Sequence, residues 1–74
     1  MRIYLELYEM TEEGEGDFIR IDVTDWSSED IEEVINLLRE HASNYSSYMI
    51  QKHCCYHDEG GSCSAERIYE GGGA

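Results

Sequence analysis

Between Val23 and Ile31 the hydrophobic repeat changes from two residues to 3.6, and that switch limits the fold more than any other feature. Before it, two runs alternate. Ile3, Leu5 and Leu7 oppose Arg2, Tyr4, Glu6 and Tyr8; then Ile19, Ile21 and Val23 oppose Phe18, Arg20 and Asp22. Each run is a strand with one dry and one wet face. The connection 10–16 holds three glutamates and two glycines, so the strands pair as an antiparallel hairpin. After the switch, Ile31, Val34, Ile35, Leu38 and Ala42 recur at helical spacing as one buried stripe. Ser27 stands at the N-cap with Asp30 three residues on, and Trp26 and Ile31 hold the two staple positions. Asn44 is placed for a left-handed stop.

The second half is less regular. Residues 45–56 read as a third strand whose alternation is blurred by Met49, Lys52 and the Cys54-Cys55 pair. Asp58-Glu59-Gly60-Gly61-Ser62 signals a turn, and 63–70 reads as a short fourth strand. The expected architecture is α+β, ββαββ: a four-stranded, mainly antiparallel sheet with one helix packed on one face. Residues 1–70 form one domain and 71–74 a flexible Gly-rich tail. With 74 residues the core is thin, which makes a deep, water-excluded active site hard to build and a binding surface easy. On the wet face, Tyr4, Glu6, Tyr8, Phe18, Arg20 and Asp22 are expected to stand exposed as a contact surface.

Charge narrows the function classes. Seventeen acids against five Lys and Arg leave a formal net charge of −12. Such a field repels nucleic acid and anionic membranes and attracts basic partners in a salt-sensitive way. Twelve of the acids lie between Glu6 and Glu33, with Arg20 the one base in that stretch. Glu6, Glu12, Glu13, Glu15, Asp17, Asp22, Glu29, Asp30, Glu32 and Glu33, with the aromatics Tyr4, Tyr8 and Phe18, form the candidate partner-binding set. The hairpin, its loop and the helix N-terminus are expected to bring these acids together, with Glu29, Glu33 and Glu40 continuing along the helix. Carboxylates at such spacing imitate the phosphates of a duplex. Solubility alone asks for a net magnitude of roughly 2–8, and salt adaptation is the remaining explanation of the excess. No apolar run is long enough to span a membrane, and the opening Met1-Arg2-Ile3-Tyr4-Leu5-Glu6 lacks a signal-peptide core. The expected location is the cytoplasm.

His53-Cys54-Cys55-Tyr56-His57 with Cys63 is the second constellation. On a strand His53, Cys55 and His57 share a face, and Cys63 across the turn completes a His2Cys2 set for tetrahedral zinc. The spacing fits no standard zinc pattern. A bridge from Cys54 or Cys55 to Cys63, or three reduced thiols packed as small hydrophobes, are the other readings. As a nucleophile–base pair, Cys54 and His53 point to opposite faces, nothing orients a histidine beside Cys55, and the negative field opposes thiolate formation. Catalysis is not expected.

Taken together, the size, the acid-dense run and the compact strand–strand–helix–strand–strand reading resemble the small acidic inhibitors encoded by phages and mobile elements, which include anti-CRISPR proteins and DNA mimics. The resemblance covers the whole chain as a match of properties, without a shared motif. It implies a non-catalytic inhibitor, acting as a monomer or homodimer in the host cytoplasm, that blocks the positively charged nucleic-acid-binding site of a defence complex. The alternatives are a small zinc-stabilised structural or adaptor module and a salt-adapted housekeeping domain.

Overall fold

In the computed structural model, which describes residues 1–14 and 16–71, four strands form one antiparallel sheet and one helix lies across it. The elements are β1 (Arg2–Glu9), β2 (Phe18–Asp22), α1 (Ser28–Ala42), β3 (Tyr48–Cys55) and β4 (Ser64–Gly71), with a 3-10 turn at His57–Glu59 before β4. This is the α+β arrangement expected from the pattern. The strand order is β2-β1-β3-β4, so α1 carries the chain from the edge strand β2 over β1 to the far side of β1.

Alternation explains which side is dry. Leu5 pairs with Ile21 and Lys52, and Leu7 with Ile19 and Ile50. Their common face packs on α1 through Leu38 and Ala42, with Ile31, Val34 and Ile35 around them. Leu5, Leu7, Val23, Ala42 and Ile50 are wholly buried. Ser27 caps the helix by accepting from the Asp30 backbone amide at 3.2 Å. Glu29 and Asp30 lie at the positive end of the dipole and Arg39 and His41 at the negative end.

Two local expectations are corrected. The helix does not end on a left-handed Asn44: the cap is Ser43 in right-handed geometry, whose hydroxyl donates to the Glu40 carbonyl at 2.7 Å. The third strand starts at Tyr48, because Tyr45 turns inward to join the core, 6% exposed, its hydroxyl donating to Asp17. Gly71, placed in the tail by the sequence pattern, is paired with Tyr48 in β4; residues 72–74 of the expected tail lie outside the described residues. Among the described residues, no helix is long and apolar enough to cross a membrane.

Candidate functional site

Three groups of side chains carry chemistry, and the fold sets each apart. The first is on the sheet face away from the helix. The register puts Glu6 opposite Arg20 on β2 and Gln51 on β3, with Tyr4 and Tyr8 two residues to either side. Glu6 was expected to stand exposed there; it is 0% exposed. Its Oε2 accepts from Arg20 Nε at 2.8 Å and lies 2.6 Å from Nη2, while Oε1 accepts from Gln51 Nε2 at 2.7 Å. His53 Nδ1 is 3.4 Å from Oε1. Burial alone would push this carboxyl up, yet the Gln51 and Arg20 hydrogen bonds, with the charges of Arg20 and His53, hold it below its ordinary value. The Arg20 guanidinium also lies 5.1 Å from the Tyr4 ring centre and 5.6 Å from that of Phe18, and Tyr8 packs on Phe18 at 4.8 Å. Burial, then the Glu6 charge, raises the Tyr8 hydroxyl. The aromatic and charged side chains of this face thus satisfy one another across three strands. Its centre is a buried carboxylate paired with a half-exposed arginine and not a display of acids.

The second group is the acidic surface, and here too the expected arrangement is corrected. The hairpin loop and the helix N-terminus are at opposite ends of β2, because the chain enters that strand from one and leaves it toward the other. β2, about 13 Å from Phe18 to Asp22, lies between them. One lobe holds Glu9, Glu12, Glu13 and Asp17; Glu15 lies outside the described residues. The other holds Asp25, Glu29, Asp30, Glu32 and Glu33, all exposed. Glu29, Glu33 and Glu40 run down the solvent side of α1 between the lobes, the first two about 6 Å apart along the axis and Glu40 about 10 Å further on.

Four acids are neutralised within the chain among the described residues: Glu6 by Arg20, Asp22 by Arg2 at 3.1 Å, Glu59 by the N-terminal ammonium at 3.2 Å, and Glu70 by Arg67 at 2.8 Å. Asp22 also accepts from the Thr24 hydroxyl and backbone amide, which hold its carboxyl below the ordinary value. Arg39 lies over the Tyr69 ring at 4.2 Å. Among the described residues, the ion pairs leave the exposed Glu12, Glu13, Asp17, Asp25, Glu29, Asp30, Glu32, Glu33, Glu40 and Glu66, and the half-buried Glu9, without a cationic partner in the chain.

The third group is at the β3–β4 turn. Cys55 ends β3, Cys63 precedes β4, and the rung before them pairs Cys54 with Ser64. The 3-10 turn folds His57 back between them. Cys55 Sγ is 2.9 Å from Cys63 Sγ and 3.3 Å from His57 Nδ1, and Cys63 Sγ is 3.4 Å from His57 Nε2. No disulfide links the three cysteines, so of the alternative readings the bridge to Cys63 is not the one seen. The hydrogen bond to Cys55, then burial and the Cys55 charge, raise the Cys63 thiol.

The loop is built to hold this shape. The Tyr56 carbonyl accepts from the amides of Glu59 and Gly61, both at 2.9 Å, and Gly60 adopts φ +79°, which an L side chain resists. Of the four residues expected to gather here, three do. His53 does not: it shares the face but is held by Glu6 and by an edge-on contact with Tyr4. Compared with protein-family models, curated proteins and solved structures, the chain matches none.

Sequence reasoning missed Gln51 as a partner of Glu6. Counting back in steps of two from Cys55 would have found it, since Gln51, His53 and Cys55 share a face. The Arg39–Tyr69 contact had no signal, because a bulge between Ile50 and Gln51 shifts the register of β4.

Proposed function

We propose that the protein is a non-catalytic binding module that uses its acidic helix and hairpin loop to occupy the cationic nucleic-acid-binding surface of a partner protein, in the manner of an anti-CRISPR or DNA-mimic inhibitor. The observation that supports it is the set of ten exposed carboxylates among the described residues with no cation of the chain beside them, nine of them on the hairpin loop, the helix and the turn before it. Mutual repulsion of such groups costs the folded state free energy, and a cationic partner relieves it. Along α1 the density of charge is greatest in its first turns, where four acids fall within about 6 Å of axis.

Each exposed pair contributes only about 0.2–1 kcal/mol, so affinity has to come from many pairs at once. Both lobes and the helix between them would then face the partner. The half-buried open sheet face contributes an aromatic margin, with Phe18 48% exposed. The partner is a basic protein or complex that normally grips DNA or RNA.

The test is the salt dependence of partner binding, measured with a nucleic-acid competitor. Affinity should fall steeply as salt rises, nucleic acid should compete, and Glu29→Gln/Glu32→Gln/Glu33→Gln should weaken binding while the melting curve stays cooperative. Affinity independent of ionic strength would overturn the reading.

A second reading, a metal-stabilised module, is favoured by the convergence of Cys55, His57 and Cys63. The two are compatible. Cys55 lies on the sheet face opposite α1, so a metal there leaves the helix acids untouched.

A further inference from the structure

We infer that Cys55, His57 and Cys63 form a zinc site with three protein ligands, which clasps the β3–β4 turn and keeps its fourth coordination position open to the sheet face. The inference rests on the metal-module reading above and deepens it by naming the ion, the ligand atoms and the vacant direction.

The ligand spacing in sequence is Cys-x-His followed by five residues and Cys, all within one hairpin turn. Zinc takes thiolate sulfur at about 2.3 Å and imidazole nitrogen at about 2.0 Å, so neighbouring donors on a tetrahedral ion are about 3.5–3.8 Å apart. His57 Nδ1 is 3.3 Å from Cys55 Sγ and 3.9 Å from Cys63 Sγ, which makes it the nitrogen placed to share an ion with both sulfurs. The two sulfurs, 2.9 Å apart, need to open by about 0.9 Å, within the range of a small χ1 rotation.

The chemistry of the set selects the metal class. Two thiolates and an imidazole are soft and borderline donors that suit zinc and exclude calcium and magnesium, which take oxygen. The strongly negative chain raises the local concentration of any cation.

The rest of the turn is already anchored. Glu59 is tied to the N-terminal ammonium, Tyr56 accepts from two loop amides, and a Cβ at Gly61 would come within 2.9 Å of Tyr56 Cβ. Among the described residues no fourth donor joins the three. The cluster borders a shallow cavity of about 340 Å³ lined by Arg2, Tyr4, Cys55 and His57, where an external donor has room to reach the ion. His53 stays with Glu6 and is not the fourth ligand.

Cobalt(II) is the probe. Titrated into the reduced full chain, it should give tetrahedral ligand-field bands and a thiolate-to-cobalt charge-transfer band that saturate at one equivalent and vanish on adding zinc. Imidazole should shift the ligand-field bands by entering the open position. Zinc at a hundredfold excess over its Kd should raise the melting temperature by about 10–20 °C. Cys55→Ser and Cys63→Ser should each weaken binding by more than the 10–100-fold typical of an outer-shell change. Cys54→Ser, on the helix-facing side of β3, should leave it unaltered.

If zinc stabilises the fold but Cys55→Ser and Cys63→Ser bind as well as the parent, this site is wrong while the metal-module reading survives. If neither cobalt nor zinc binds the reduced chain, both fall. Saturating bands insensitive to imidazole would refute the open position.

Discussion

Glu6→Gln offers a sharp test of the sheet's polar centre, because it keeps the side-chain shape and removes only the charge. The carboxylate receives two Arg20 nitrogens on Oε2 and Gln51 on Oε1, and it is wholly buried. An amide has one acceptor oxygen. If that oxygen faces Arg20, its NH2 points at Gln51, which has to turn its own amide to accept. The hydrogen bonds then survive as neutral ones, and the loss is the difference between charge-assisted bonds, about 1.5–3 kcal/mol each, and neutral ones, about 0.5–1.5. The Arg20 side chain is 48% exposed, so water screens part of the difference and the low end applies. The expected cost is about 1–2 kcal/mol, or about 4–16 °C in melting temperature for a chain of this size.

The pH dependence identifies the cause. Glu6 titrates below its ordinary value in the folded state. Its stabilisation is therefore complete above the unfolded carboxyl value of about 4.3 and is lost as pH falls through the lower folded value. Urea unfolding of parent and variant should show a constant gap from about pH 5 to 7 that closes toward pH 3, as the parent takes up the proton. A gap that persists undiminished at pH 3, or no gap at pH 7, would refute the assignment of the stabilisation to the Glu6 charge.

Other substitutions probe the frame around that centre. Ile50→Ala should cost about 2–5 kcal/mol in chemical denaturation, since Ile50 is wholly buried on the central strand β3, whereas Leu37→Ala, at 59% exposure, should change stability by less than about 0.5 kcal/mol. Gly16→Ala should lower the melting temperature, because a Cβ there runs into the Glu9 carbonyl oxygen and comes within 2.9 Å of Glu9 Cβ; an unchanged melt would show that the hairpin loop yields freely. Ser27→Ala should cost about 1 kcal/mol by removing the acceptor for the Asp30 amide, measurable by urea titration, and Ser27→Asp should restore it.

The parts legible in the sequence are those where one physical period acts alone. The stripe Ile31, Val34, Ile35, Leu38 and Ala42 packs as its spacing requires, and Ser27 caps because a short hydroxyl side chain precedes it. The wet face was misread because alternation tells which side a residue faces and not what neighbouring strands place beside it. Glu6 is buried by Arg20 and Gln51, whose positions depend on register. The acidic block was contiguous in sequence but not in space, since β2 carries the chain from one end of the sheet to the other between the loop and the helix. At the β3–β4 turn the cysteines and His57 converge through the loop geometry around Gly60, while His53 is drawn off by a carboxylate 47 residues earlier in the chain.

The path of α1 over β1 has a consequence for how the chain acquires its structure. β1 is complete by Glu9, yet its second neighbour is β3, so Arg2 waits for Cys55 before that side is closed. A ribosome releasing the chain would leave the second border of β1 bare until β3, which ends at Cys55, had emerged. Pairings this far apart slow the search for the native state.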